Sequence, residues 1–380
     1  MSLGNRLYAE LRGDRVIWTI LALLAIISIL LVYSSTEALA YRNQGGNTEF
    51  YLFKHIIILS FGLLITYACF LLHYEKYKIA APYLLLLSIP LLLYTLLAGV
   101  DVNEAKRWIE VPFVGITFQS SDFAELALVI FVAREITKKQ DDIKDFQSGF
   151  VPILSAIIVI CGLIAPADLS TAAVLFFTCL LMMFMGRVPV KFIGTVLFCG
   201  LVVFAFIYML GDVFPDIFGR AKTWSSRIQE FRADGDPYQV EQAKIAIANG
   251  EFFGLGPGNS LQRHMLPQAY SDFIYAIILE EYGLIGGFFV MFLYIMLFVR
   301  TAKLITKSSK TFGAMLAMGL SSMLIIQALM NMAVAVDLLP VTGLTLPMIS
   351  LGGTSLLFTC VAFGMILSVS KYVETQTQEA

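Results

Sequence analysis

The recurrence of apolar runs about 20 residues long constrains this chain more than any other feature, because each is the length of helix that crosses a ~30 Å hydrocarbon layer. Such runs lie near 17–36, 51–72, 80–99, 118–136, 150–166, 169–186, 190–210, 273–299, 312–336 and 350–370. Hydrophobic residues make up 58% of the chain and charged ones only 14%, whereas a soluble domain carries about a quarter charged. The expected fold is an all-α integral membrane protein, a single polytopic bundle of about ten transmembrane helices over 1–380. The first run follows Arg6, Arg12 and Arg15 and precedes Ala38-Leu39-Ala40, which mimics a cleavage site. It is longer than a signal-peptide core and reads as a retained helix.

Lys and Arg set the orientation. With the N-terminus inside, one side holds Arg15, Lys76, Arg134, Lys138, Lys139, Arg187, Arg300, Lys303 and Lys371 among others, and the short loops opposite hold Arg42, Lys106 and Arg107. Both termini are expected in the cytoplasm, and 211–272 becomes a large extracytoplasmic loop. Within that loop Tyr238 to Asn249 reads as a helix with Val240, Ala243 and Ile247 on one face, of the kind that lies along a membrane surface. It ends at Gly250 and leads into the turn-rich Gly254-Leu255-Gly256-Pro257-Gly258-Asn259-Ser260.

A net charge of −2 offers no basic face for nucleic acid. The cysteines, Cys69, Cys161, Cys179, Cys199 and Cys360, fall inside apolar runs without CxxC spacing and read as small buried hydrophobes. His55, His73 and His264 have no metal-ligand spacing.

Ionisable residues at membrane depth mark candidate sites. Asp272, at the start of the eighth run, reads either as a helix N-cap or as a reactive carboxylate. Glu280 and Glu281, just before Gly283, read as partners of a buried basic group or as a mark of a helix break, or one of them faces a cavity. Asp122 and Glu125 share a helix face as i, i+3. Lys106-Arg107-Trp108, at the outer end of that span, reads as an interfacial anchor or as a grip on an anionic head group. The segment from Leu338 to Ser355 contains Pro340, Gly343, Pro347, Gly352 and Gly353 and cannot be one helix. Irregular backbone at this depth is expected to line a cavity, and Ser350, Thr354 and Ser355 with free amides at a helix start suit an anion. These residues alone admit an enzyme acting on a lipid-linked anion or a transporter.

Leu339-Pro340-Val341-Thr342-Gly343, Pro347 and Ser350-Leu351-Gly352-Gly353-Thr354-Ser355 resemble the signature of the SEDS family, the FtsW, RodA and SpoVE group. So do Gly256-Pro257-Gly258-Asn259-Ser260-Leu261-Gln262, Asp272-Phe273-Ile274-Tyr275, Glu280-Glu281-Tyr282-Gly283, Arg107-Trp108 and Tyr238-Gln239. The opening of the first span and the run Val111 to Gln119 resemble the FtsW-type division branch.

The resemblance implies a peptidoglycan glycosyltransferase that polymerises lipid II in the bacterial cytoplasmic membrane during septal cell-wall synthesis. It implies Asp272 as general base. It places Lys106, Arg107, Gln239, Asn259, Ser260, Gln262, Arg263, Glu281, Ser350, Gly352, Gly353, Thr354 and Ser355 on the substrate, with Asp122, Glu125 and Asp168 in support. The transfer reads as metal-independent or weakly assisted by a divalent cation, Mg or Mn. The implied partners are lipid II, a class B penicillin-binding transpeptidase, other divisome proteins and membrane lipids. A lipid II flippase and a scaffold that activates the transpeptidase are the alternatives. The chain departs from the family pattern at Glu125, where many members carry Lys, at Ser170 in the turn Asp168-Leu169-Ser170-Thr171, and at Leu351, where an aromatic is usual.

Overall fold

The computed structural model describes residues 13–102, 105–110, 117–213, 227, 229, 231, 237–307 and 311–379. Every expected span has its helix: α1 Arg15–Ser35, α3 Thr48–Leu71, α4 Glu75–Ala98, α5 Ser120–Lys138, α6 Val151–Ile164, α7 Leu169–Met185, α8 Val190–Val213, α10 Ile274–Lys307, α11 Thr311–Ala335 and α12 Gly353–Glu379. Between them lie α2 Glu37–Gln44 and α9 Tyr238–Gly250. Seven helical stretches are long and apolar enough to cross a membrane, one of them running from Phe146 through α6; α7 and the apolar part of α8 are shorter. The chain is a polytopic membrane protein whose spans are all helical. Helix α11 is enclosed along most of its length, while α3 and α4 turn most of their apolar surface outward. That outward apolar surface is what a lipid solvent permits.

Two departures from plain helix shape one end of the bundle. A small antiparallel sheet, β1 Val100–Val102, β2 Ala105–Glu110 and β3 Thr117–Gln119, leads into α5, with Trp108 opposite Gln119 and Ile109 opposite Phe118. Alternating polar and apolar residues over only a few positions give a weak strand signal, which the apolar-run reading passes over.

The second departure is a break in α10 at Gly283, whose φ of 66° and ψ of −170° suit glycine alone. The chain after α9 fills the break. Leu255 N donates to Glu280 O at 2.9 Å and Gly256 N to Glu281 O at 3.0 Å, while Leu284 N and Ile285 N donate to the carbonyls of Glu251 and Phe252 at 3.0 and 3.3 Å. A Cβ on Gly283 would stand 2.3 Å from Phe252 O, so the two backbones touch only because no side chain intervenes. The helix break expected near Glu280 and Glu281 is present. Helix α9 buries Val240, Ala243 and Ala246 and packs on α10 and α11, so a protein neighbour takes the face expected to meet the membrane surface.

All five cysteines are free. Cys161, Cys179 and Cys360 are buried as expected, but Cys69 is half-buried and Cys199 is exposed on α8, because an outward-facing helix needs only an apolar residue there.

Candidate functional site

Asp272 precedes α10 and is held through its backbone. Asn331, buried in α11, donates from one amide nitrogen to Asp272 O at 2.8 Å and to Leu344 O at 2.7 Å. Two carbonyl acceptors fix which end of the amide faces them. Ser350 Oγ donates to Ser271 O and accepts from Leu346 N, both at 2.8 Å, and Leu351 N donates to Tyr270 O at 2.9 Å. Tyr270, Ser271 and Asp272 are thus laced to the irregular segment before α12.

Four further carbonyls of that segment are met by side chains around it: Thr345 O by Gln327 at 3.4 Å, Pro347 O by Tyr294, Ile349 O by Ser28 at 3.0 Å, and Val341 O by Arg227 at 3.2 Å. Ser28 in turn bonds to the buried His55 ring at 2.8 Å. An unpaired carbonyl away from water costs several kcal/mol, so this supply of donors is what permits irregular backbone here.

The Asp272 carboxylate is half-buried, and among the described residues it accepts one side-chain hydrogen bond, from Ser271 Oγ at 2.8 Å. Burial pushes its pKa above the ordinary carboxylate value; the Ser271 hydroxyl and the Arg107 guanidinium pull it back, and the Asp168 charge adds to the rise. Gly343, with φ of 76°, lies over it: a Cβ there would sit 3.6 Å from Asp272 Oδ2 and 4.0 Å from Arg107 Nη1. The missing side chain leaves room beside the carboxylate.

Arg107, on β2, pairs with Asp168 at 3.1 Å and donates through Nε to Ala167 O at 3.0 Å. Asp168 also caps α7 by accepting from Thr171 N at 3.1 Å. Arg107 and Asp168 line a crevice with Thr95, Ser120, Ser121 and Ala167. Asp122 lies beside Ser121, Ser355 and Asp168, and Glu125 is within electrostatic reach of both acids. One Asp122 oxygen is buried without a hydrogen-bond partner. Thr354 Oγ1 receives Gln119 N at 3.3 Å. Arg107 pairs with Asp168 and with neither Asp122 nor Glu125 among the described ion pairs. Lys106 lies on β2, but its side chain is outside the described residues.

The other residues expected on the substrate collect elsewhere. Glu280 accepts from Ser260 Oγ, from Leu261 N at 3.2 Å, from Gln262 N at 3.3 Å and from Asn249 Nδ2 at 3.3 Å. Glu281 accepts from Ser34 Oγ of α1. Arg263 donates to Gly258 O at 2.7 Å and pairs with Glu37 of α2 at 2.6 Å. Ser260, Gln262, Arg263 and Glu281 therefore form a knot that fastens the loop to α1, α2 and α10. Asn259 is exposed and donates to Leu255 O at 3.0 Å. Gln239 stands in the first turn of α9, and Gly352 and Gly353 lead into α12. Among the described residues no group of three or more His, Cys, Asp or Glu is arranged to hold a metal ion.

Asn331, Ser271 and Gly343 join the site beyond the expected set. A signal for Asn331 was present: Gln327 and Asn331 are two amides four residues apart in an otherwise apolar span, which puts both on one helix face.

The profile of the family described as cell cycle protein, the FtsW/RodA/SpoVE group, matches residues 14–375. The chain is 32% identical to a probable peptidoglycan glycosyltransferase FtsW of Trichlorobacter lovleyi, over 94% of this chain and 93% of that one. It is 31% identical to the stage V sporulation protein E of Bacillus subtilis, over 94% and 97%. Among solved structures it superposes with TM-score 0.74 on a chain of a peptidoglycan synthase complex at 22% identity, covering 95% of this chain and 98% of the other. It also superposes on the rod shape determining protein RodA of Thermus thermophilus, with TM-score 0.68 at 20% identity and coverage of 94% and 96%. These structures share its fold, and with the profile and the relatives they place the chain: it belongs to the FtsW/RodA/SpoVE family.

Proposed function

We propose that this chain is a peptidoglycan glycosyltransferase that polymerises lipid II on the outer face of the bacterial cytoplasmic membrane, at the division septum. The observation that carries the reading is Asp272: a carboxylate fixed through its backbone, short of donors, and placed with Arg107 under the open side of Gly343. In the transfer, the acceptor sugar's 4-hydroxyl oxygen bonds to the donor's anomeric carbon as the bond from that carbon to the lipid pyrophosphate breaks. The hydroxyl proton passes to Asp272, and the pyrophosphate departs with the electron pair. A raised pKa suits a base of this kind, since it gains proton affinity while burial keeps it from water. Arg107, the Thr354 and Ser355 hydroxyls and the free amides starting α12 are the groups suited to the pyrophosphate charge.

The distribution of Lys and Arg supports both termini in the cytoplasm. The fold shared with a member of a peptidoglycan synthase complex supports a class B penicillin-binding transpeptidase as partner, within a larger set of division proteins. The test is incubation of the purified chain, with and without such a transpeptidase, with fluorescent lipid II. Glycan strands are expected from the wild type and none from Asp272→Asn. Translocation of lipid II across vesicles with no glycan formed would instead identify a flippase.

A further inference from the structure

Two helices joined at both ends give the depth of the loop after α9. At their inner ends α1 and α10 are joined by an ion pair, Asp14 with Arg300, at 2.7 Å. At their outer ends they are joined again, Ser34 to Glu281. The twenty residue steps from Asp14 to Ser34 and the nineteen from Glu281 to Arg300 both correspond to about 30 Å at 1.5 Å per residue, the thickness of the hydrocarbon layer. Neither 16–33 nor 284–299 contains a charged residue, while Arg15 and Lys303 flank one end and Glu37 and Arg263 the other. The break at Gly283 therefore marks the outer edge of the hydrocarbon.

The loop is bonded to that edge. The carbonyls of Glu251 and Phe252 receive Leu284 N and Ile285 N, the first turn of the lipid-facing length of α10. Phe252 is 67% and Phe253 82% exposed, and Ile285, Phe288 and Phe292 carry the same apolar surface down the helix. Gly254, Leu255 and Gly256 also have their amides bonded, to the carbonyls of Gly250, Glu280 and Glu281. Pairing these backbone groups lowers the penalty that excludes irregular chain from lipid.

We infer that Phe252 and Phe253 form a wedge inserted into the outer leaflet of the bilayer, and that the occupant of this exposed apolar surface is lipid acyl chain. The wedge is continuous with the lipid-facing side of α10 and lies at its upper rim. Because its backbone fills the break in the helix that begins beside Asp272, the wedge ties the height of that helix to the membrane surface.

The test uses full-length Phe253→Trp in nanodiscs of phosphatidylcholine and phosphatidylglycerol, read as the emission difference from wild type. The added emission is expected to be blue-shifted, to fall to about half when lipids brominated near the head-group end of the acyl chain replace ordinary ones, to fall less with bromine near the methyl end, and to resist acrylamide. Phe252→Trp provides the same reading if Phe253→Trp does not fold. Emission quenched by acrylamide and indifferent to brominated lipid would overturn the inference. So would protection that develops only when a transpeptidase is added, which would make the surface a protein dock. Neither reading depends on catalysis.

Discussion

Two carboxylates near the head of α10 are treated in opposite ways, and the difference separates chemistry from construction. Glu280 is fully buried and surrounded by donors: a hydroxyl, two backbone amides and a side-chain amide. Its charge is spent on holding the 260–262 turn. Asp272, eight residues earlier, has its backbone tied down by Asn331, while its carboxylate has one neighbouring hydroxyl and the open side of Gly343. A saturated carboxylate organises structure; an undersaturated one, held in place by others, is available to a substrate proton.

The sharpest way to break this contrast is to neutralise each acid in turn. Asp272→Asn is expected to cut the polymerisation rate roughly 100- to 10,000-fold, with the melting temperature in detergent close to wild type. Glu280→Ala is expected to do the reverse in kind. It strands several buried donors, each hydrogen bond to a charge contributing roughly 1.5–3 kcal/mol, so thermal unfolding should fall steeply while the protein that remains folded keeps most of its turnover per molecule. Equal losses of turnover in both would erase the distinction.

Much of this was legible in the sequence and some was not, for physical reasons. The spans were legible because hydrocarbon thickness fixes a helix length, and the irregular segment before α12 because Pro340, Pro347, Gly352 and Gly353 forbid a continuous helix. The partition of the polar residues was not legible. Ser260, Gln262, Arg263 and Glu281 share motifs with the residues near Asp272, but which carboxylate a donor meets depends on how the loop enters the break at Gly283, a contact between backbones that no side-chain pattern records. The pairing of Arg107 with Asp168 was not legible for a similar reason: β2 carries Arg107 there, and three short strands leave little periodicity to read.

Asn331 tests whether backbone anchoring is what makes Asp272 effective. Asn331→Ala leaves Asp272 O and Leu344 O without their donor, at a cost of roughly 1–3 kcal/mol and about a tenfold loss of turnover, with the KM for lipid II changed less than threefold. Asn331→Asp, equal in size but setting an acceptor against both carbonyls in a buried site, should lose at least as much. A change in melting temperature with turnover intact would make Asn331 a packing residue only.

A smaller effect concerns pH. Because burial raises the pKa of Asp272, the acid limb of kcat/KM is expected above the ordinary carboxylate value of about 4. Activity rises through that limb as the base loses its proton. Arg107 pulls the pKa down, so Arg107→Gln should move the limb to higher pH besides lowering the maximum rate. A limb that stays in place would mean that Asp272 does not sense the guanidinium.

The smallest effect is expected at Glu125. Asp122, Glu125 and Asp168 form a neighbourhood of three acids, and among the described side chains the cation there is Arg107, bound to Asp168. Like charges at i, i+3 on a helix oppose one another, and one Asp122 oxygen is buried without a hydrogen-bond partner. Glu125→Lys replaces a repulsive pair with an attractive one and offers Asp122 a donor from its own helix. Unlike Asp272, neither acid is tied by its backbone to the irregular segment, so their part is to shape the field around Arg107 and Asp168. Polymerisation by Glu125→Lys should stay within about threefold of wild type, the scale of a single modest electrostatic contact, and its melting temperature should not fall. A loss as deep as that of Asp272→Asn would give the second acid a duty of its own, such as holding a proton that the substrate needs. The division between a reactive carboxylate at the head of α10 and supporting acids on α5 would then have to be redrawn.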